Sequence, residues 1–332
     1  MSVFEGKSVL VTGATGSFGK RFVEMILKAH NPRRVVVFSR DELKQFEMQK
    51  QFPASNVLKY FLGDVRDRER LYRAVDGVDI VIHAAAIKQV PAAEFNPMEA
   101  IKTNIIGANN LIEVCIDRNV ERVIALSTDK AANPANLYGA TKLCSDKLFV
   151  SANALSGHHK TRFSVVRYGN VVGSRGSVIP FFMELKKTGV LPITDARMTR
   201  FWITLKQGLQ FVVDNLERMH GGEIFIPKIP SMTMLEVAKA IAPECEIKII
   251  GVRPGEKLHE IMITQDDAIN TLEYDDYYVI QPAAPWWYRD SFIRQTNAKP
   301  VSELFQYSSD QNSQWMLADD LNTLLSDEEI EH

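Results

Sequence analysis

The chain has 332 residues, 45% of them hydrophobic, enough for one large α/β unit and a smaller lobe. Its 39 basic and 41 acidic side chains leave a formal net charge of −2. That balance excludes the basic surplus of a nucleic-acid binder and the polybasic patch of a membrane-surface protein, so any anionic ligand must be held by local features.

In chain order, Ser8–Thr12, Arg34–Ser39, Leu58–Leu62, Val78–His83 and Arg122–Ser127 are apolar runs rich in Val and Ile, as strands covered on both faces are. Helical patterning separates them at Lys20–Ala29, Leu43–Gln51, Arg68–Val75, Ala100–Arg118 and Gly139–Ala154. Phe163–Val166 predicts a sixth strand. Such alternation predicts a Rossmann-type, doubly wound parallel sheet over residues 1–168. After Tyr168 the pattern loosens around Gly173, Gly176, Pro180, Gly189 and Pro192. Thr204–Met219 predicts a helix and Glu223–Ile226 a strand, so that residues 204–228 complete the sheet. Residues 169–203 and 229–332 are then expected to form a substrate-binding lobe and tail, with helices at Met234–Ile241, Gly255–Met262 and Ala318–Leu325. The Trp286-Trp287-Tyr288 cluster reads as lobe packing.

The longest apolar stretch, Val78–Ile87, is broken by Asp79 and His83 and is too short for a bilayer span. Met1–Lys7 lacks the apolar segment of a secretory signal. Cys115, Cys144 and Cys245 have no paired spacing and predict reduced thiols of a cytoplasmic protein, without a disulfide frame or zinc site. His158–His159 reads as a solvated loop, and no metal is expected.

Thr12-Gly13-Ala14-Thr15-Gly16-Ser17-Phe18-Gly19 follows the first strand and opens a helix. Gly13 permits a tight turn, Gly16 lets backbone approach a diphosphate, and Gly19 lets the helix pack on the sheet. The amides of Thr15, Ser17 and Phe18 then face the anion. The second strand ends in Ser39-Arg40 where an NAD site favours a carboxylate, which points to the 2′-phosphate of NADP; Asp41 blurs that reading. Asp64, in Gly63-Asp64-Val65 after the third strand, fits either the adenine amine or the cap of the next helix.

Tyr138-Gly139-Ala140-Thr141-Lys142 puts a phenol and an ammonium one turn apart on one helix face. A nearby lysine and an oxidised nicotinamide both favour the phenolate, so Tyr138 can take a proton from a sugar hydroxyl while hydride leaves its carbon.

The glycine turn, His83-Ala84-Ala85-Ala86, Thr103-Asn104, Ser127-Thr128 and Tyr138…Lys142 together resemble the extended short-chain dehydrogenase/reductases. More narrowly, Ala86-Ile87-Lys88-Gln89-Val90-Pro91, Ser127-Thr128-Asp129-Lys130-Ala131, the run from Tyr168 to Pro180 and Arg253-Pro254-Gly255-Glu256-Lys257-Leu258-His259-Glu260 resemble the inverting UDP-N-acetylglucosamine 4,6-dehydratases of pseudaminic acid synthesis for flagellin glycosylation. The resemblance implies an NADP-dependent lyase acting on UDP-N-acetylglucosamine. It implies Lys130 as the base at C5, Asp129 as the acid for water loss and Tyr138, with Lys142, as the base at the C4 hydroxyl. Opposite charges as neighbours favour ionising both Asp129 and Lys130, so burial must put the shared proton on Asp129. Adjacent strand residues also point to opposite faces, which calls for a bend after Thr128.

The same resemblance extends the cofactor contacts to Val65, Ala84, Lys88, Thr103 and Val171. It places Lys88, Asn170, Ser177, Val178, Ile179 and Pro180 along the sugar and diphosphate. Arg200 and Arg253 are candidate diphosphate clamps, since guanidinium pairs with phosphate oxygens; a surface ion pair is an equal alternative for Arg200 and a weaker one for Arg253. Glu256 would order Arg253 or contact uracil, and His259 fits a core role as well. As in relatives, Ala100–Arg118 and Gly139–Ala154 would pair between subunits of a homo-oligomer.

Overall fold

The computed structural model describes residues 2–52, 55–174, 176–287, 292, 293, 296 and 298–327. Arg175, within the Tyr168–Pro180 run, and Tyr288 lie outside them.

The parallel half of the sheet is built from β1 (Ser8–Thr12), β2 (Arg34–Ser39), β3 (Leu58–Leu62), β4 (Ile80–His83), β5 (Arg122–Thr128) and β6 (Arg162–Tyr168). Helices α1 (Ser17–Ala29), α2 (Glu42–Gln51) and α3 (Arg68–Ala74) connect the first four strands. The Val35–Val37 run of β2 is fully buried, as the apolar patterning requires. Between β4 and β5 lie α4 (Val90–Phe95), α5 (Pro97–Ile101) and α6 (Gly107–Asp117), and α7 (Leu137–Leu155) joins β5 to β6. The single helix expected over Ala100–Arg118 is instead interrupted by a π-helical turn, Lys102–Ile106, and preceded by α4, where Pro91 occupies the first turn. Asn104 braces this turn: it bonds both the amide and the carbonyl of Ile87 and donates to Thr141 Oγ1 at 2.9 Å.

Past β6 come β7 (Asn170–Val171), α8 (Val178–Leu185), β8 (Val190–Ile193), β9 (Thr199–Ile203) and α9 (Leu205–Arg218). Then follow β10 (Ile224–Pro227), β11 (Ser231–Thr233), α10 (Met234–Ile241), β12 (Glu246–Ile249), β13 (Ile261–Ile263), α11 (Gln265–Ala268), β14 (Thr271–Glu273), β15 (Tyr277–Ile280), β16 (Lys299–Pro300) and β17 (Tyr307–Ser308). The helix Ala318–Asp327 ends the described chain.

Among the described residues the main sheet runs β16-β14-β15-β10-β6-β5-β4-β1-β2-β3. From β3 to β10 every pair is parallel; β15, β14 and β16 add antiparallel. The 3-2-1-4-5-6 order is that of the dinucleotide-binding fold, and its order reverses between β1 and β4. Two expectations fail. Residues 271–280, expected in the lobe, extend the sheet. Gly255–Met262 is not a helix: Gly255 sits at φ +79°, in a turn, and the chain leaves it extended into β13. Its apolar residues are spaced for a helix, but Gly255 takes a left-handed conformation that a right-handed helix does not include.

Two cores result. One joins both faces of the sheet, including Val9, Leu10, Val36, Phe22, Phe149 and Phe163. The other, around Trp202, Phe182, Leu191, Met232 and Leu321, fills the lobe. Each such buried side chain contributes about 1.5–3 kcal/mol by removal of apolar surface from water. The lobe thus stands on its own packing beside the carboxyl edge of the sheet, where the site forms. No described helix is long and apolar enough to cross a membrane.

Candidate active site

A cleft of about 1490 Å³ opens along the carboxyl ends of β1–β6 and continues under the lobe. Ligand pockets for one small molecule run to roughly 1,000 Å³, so there is room for two ligands end to end.

One end is made by the glycine turn. Gly13 has φ +65°, and a Cβ there would strike the Ala85 backbone at 2.9 Å. A Cβ on Gly19 would collide with the Ala14 backbone, so only glycine lets α1 lie this close to the sheet. Gly16 caps α1 without a side-chain bond, and the first turn of α1 holds no acidic residue. The leading amides and the positive end of the helix dipole therefore face the cleft, a fit for a diphosphate. Gly13, Thr15, Gly16, Ser17, Phe18 and Gly19 all line it.

At the end of β2, Ser39 is buried and Arg40 is exposed, its Nη1 3.8 Å from Asp64 Oδ2. Asp41 is already committed: it caps α2, accepting from the Lys44 amide at 3.0 Å, and its other oxygen meets Lys44 Nζ at 3.0 Å. Asp41 nonetheless lines the cleft with Lys44. Asp64 does not cap α3; Asp67 does. Asp64 instead accepts from the Arg66 amide and guanidinium, while lining the cleft. Val65, Ala84, Lys88, Thr103 and Val171 line it too, and Thr103 Oγ1 is buried without a hydrogen-bond partner among the described residues.

The catalytic candidates gather where β5 ends. Thr128 caps a 3-10 turn, Asp129–Ala131, which supplies the bend that the strand geometry demands. Asn136 caps α7 through the Gly139 amide at 2.8 Å and donates to the Gly255 carbonyl at 2.8 Å, tying the lobe to the start of this helix. A Cβ on Gly139 would overlap the Lys130 carbonyl, so glycine lets α7 rest directly on the 3-10 turn. Tyr138, Lys142, Thr128 and Lys130 line the cleft; Asp129 lies behind Lys130 with no exposed surface.

Lys130 Nζ donates to Asp129 Oδ1 at 3.1 Å and lies 3.3 Å from Glu260 Oε1. Thr128 Oγ1 also donates to Asp129 Oδ1, at 2.9 Å. Burial raises the Asp129 carboxyl above its ordinary value against the pull of Lys130. Burial works to lower the Lys130 ammonium, but Asp129 and Glu260 outweigh it and hold it raised. The Tyr138 phenol is pushed up to about 12 by burial; the foremost influence against this is Lys130, followed by its bond to Thr128. Lys130 thus acts on the phenol as a cation, a role the sequence reading gave to Lys142, which lines the same cleft. Lys142 is itself pulled down by burial, with Asp146 opposing. His83, beneath it, is held neutral, pulled to about 3 by burial and by Lys142.

On the lobe side, Asn170, Ser177, Val178, Pro180, Arg253 and Glu256 line the cleft. Ile179 does not: it is fully buried and packs in the lobe core, because α8 turns it away from its neighbours. Arg200 lines the cleft, but its guanidinium donates to the carbonyls of Thr199, Lys257 and Leu258, which makes it a brace for the 257–260 segment. Arg253 is exposed, with Glu256 bonded to its amide and 4.0 Å from its guanidinium. His259 Nδ1 pairs with Thr199 Oγ1 at 2.8 Å, a structural bond. The residue that sequence reasoning missed is Glu260. It was visible only as the last letter of the Arg253–Glu260 motif, 130 positions from the lysine it meets.

Over residues 9–282 the chain matches the family described as polysaccharide biosynthesis protein. It is 58% identical to the UDP-N-acetylglucosamine 4,6-dehydratase (inverting) of Campylobacter jejuni, the match covering 94% of this chain and 95% of that protein. It is 39% identical to a protein of Rickettsia prowazekii named UDP-glucose 4-epimerase, over 92% of each chain. Among solved structures, Pen from Bacillus thuringiensis is similar at a TM-score of 0.89 and 36% identity, with 98% of both chains covered.

Proposed function

The chain belongs to the polysaccharide biosynthesis protein family, and we propose that it is a UDP-N-acetylglucosamine 4,6-dehydratase that inverts C5 and works with NADP. The observation that carries this reading is the buried Asp129–Lys130 pair beside Tyr138 at the floor of a dinucleotide cleft. Epimerisation at C4 needs no acid–base couple for losing water, so the pair favours dehydration over the activity named for the Rickettsia relative.

A nicotinamide dinucleotide in the cleft would accept hydride from C4 and return it to C6. The glycine turn would hold its diphosphate, and Arg40 with Lys44 would hold a 2′-phosphate, since the Asp41 charge is taken up by α2. Tyr138 takes the C4 hydroxyl proton, helped by the Lys130 charge. Lys130 takes the C5 proton after passing its own to Asp129 across their 3.1 Å contact. Asp129 then supplies the proton that leaves with the 6-hydroxyl as water; Thr128, bonded to Asp129 and lining the cleft, offers the route. A proton taken from water on the opposite face of C5 gives inversion, and Tyr138 releases the C4 hydroxyl proton to solvent, so that the protons balance over the turnover. Hydride taken from C4 ends at C6, so the cofactor is unchanged after each turnover and the overall reaction is loss of one water. That makes the enzyme a lyase.

Asn170, Ser177, Val178 and Pro180 would line the sugar and diphosphate, with Arg253 rather than Arg200 as the clamp. Together with the motifs of the sequence, this favours a place at the start of pseudaminic acid synthesis for flagellin glycosylation. Cys115, Cys144 and Cys245 are free thiols, which suits a reducing cytoplasm. Exposed Phe95, Met98 and Ile106, at α4 to α6, favour pairing with a second copy of the chain, checked by the mass of the assembly in solution. The activity is tested by incubating the protein with UDP-N-acetylglucosamine and reading the product by NMR. A 4-keto-6-deoxy sugar supports the reading; UDP-N-acetylgalactosamine contradicts it.

A further inference from the structure

The floor of the cleft holds a second buried carboxylate to which the proposed mechanism gives no part. Glu260 is 2% exposed and shares the Lys130 ammonium with Asp129. Its Oε1 lies 3.3 Å from Lys130 Nζ and 3.7 Å from Arg200 Nε, and its Oε2 lies 3.4 Å from Lys257 Nζ. Lys257 in turn donates to the Ala132 carbonyl at 2.8 Å, so the lobe segment is fastened to the same 3-10 turn that carries Lys130. The groups facing Lys130 are therefore Asp129 on its own turn, Tyr138 on α7, Arg200 on β9, and Lys257 and Glu260 before β13.

Fixed charges aimed at the place where charge develops are the largest single contribution in many enzymes, because they need no rearrangement at the moment of reaction. The charge that develops when Lys130 takes a proton from C5 is an ammonium. Asp129 cannot balance it, since by then Asp129 carries the proton that Lys130 gave up. Resting on the dehydratase reading, we infer that Glu260 is the positioning counter-charge of Lys130: it holds the amine in place and stabilises the ammonium as C5 loses its proton. Arg200 and Lys257 keep Glu260 ionised, so it serves as a fixed charge and not as a proton carrier. Burial would raise its carboxyl, but Lys130, Arg200 and Lys257 hold it below the ordinary value.

The role has a signature that bracing alone lacks. The active form of the Asp129–Lys130 pair holds one proton between them; a second proton inactivates it at low pH and loss of the first inactivates it at high pH. A negative charge nearby raises both limits. Glu260→Gln should therefore move both limbs of the kcat profile to lower pH and cut kcat by roughly 10²-fold, with KM changed little. Glu260→Asp keeps the charge and should leave the limbs in place, with kcat between the two. Lys257→Met removes a positive charge and should move both limbs to higher pH.

The test is the pH dependence of keto-sugar formation by the NADP-loaded enzyme and these three variants, with thermal melting of each as the check on folding. Opposite shifts in Glu260→Gln and Lys257→Met support the role, and if Glu260→Gln does not fold, the upward shift in Lys257→Met alone still does. Limbs that stay put in a folded Glu260→Gln, or in Lys257→Met, overturn it while leaving the dehydratase reading intact. A wild-type protein that forms no keto-sugar overturns the dehydratase reading instead.

Discussion

Asp129 Oδ1 accepts from Lys130 Nζ at 3.1 Å, while Asp129 Oδ2 is buried without a hydrogen-bond partner among the described residues. A carboxyl so placed gains from holding a proton, because an unpaired ionised oxygen away from water is costly. The contact therefore offers Lys130 a place to leave its proton before it acts as a base. This is the physical basis of the proposed elimination.

Lys130→Ala should bind NADP as the wild type does, since Lys130 sits on the turn after β5 and not on the glycine turn after β1. Keto-sugar formation should fall by roughly 10²–10⁴-fold, the usual worth of a general base. Cofactor titration and product NMR on the same sample check both halves.

Thr128→Val removes the hydroxyl that donates to Asp129 and lines the cleft. Water loss should slow by roughly tenfold or more, the worth of a hydrogen bond to a charged group. Single-turnover measurements separate this loss from substrate binding.

Arg40→Ala should weaken NADP by roughly 10–100-fold, the cost of charge-assisted bonds to the phosphate, and NAD hardly at all. Calorimetric titration with each cofactor measures the difference. Equal loss of both would defeat the NADP assignment.

Asn136→Ala removes the α7 cap and the bond to Gly255 at once. Loss of a cap costs about 1 kcal/mol, so melting should shift down by a few degrees. The loosened tie between lobe and helix should appear as a higher KM for the nucleotide sugar.

His83 is neutral in the fold, pulled from 6.5 to about 3. A group whose folded value is depressed gives stability that is full above its unfolded value and is lost as pH falls toward the folded one. Melting should therefore drop between pH 6.5 and 3, and His83→Gln should flatten that drop.

Much of this was legible because parallel strands are buried on both faces and read as unbroken Val and Ile runs, as β1 and β2 do. The glycine turn and the Tyr138…Lys142 pair are local in sequence, so spacing alone placed them on the right elements. Glu260 was not legible, because its partners Lys130 and Arg200 come from distant segments and only the lobe's packing brings them together. Arg200 read as a clamp because sequence shows a guanidinium but not the three carbonyls that occupy it. Ile179 failed for a related reason: α8 buries one side of its face, and four consecutive residues cannot all point into a cleft. Gly255–Met262 showed helical spacing, but the left-handed turn at Gly255 outweighs that signal.

The proposed activity stands or falls on proton exchange at C5. The direct measurement is conversion of UDP-N-acetylglucosamine in deuterated water, with NMR of the product. A 4-keto-6-deoxy sugar carrying deuterium at C5 with inverted configuration is the expected result. A product altered only at C4, with the original hydrogen retained at C5, would contradict it.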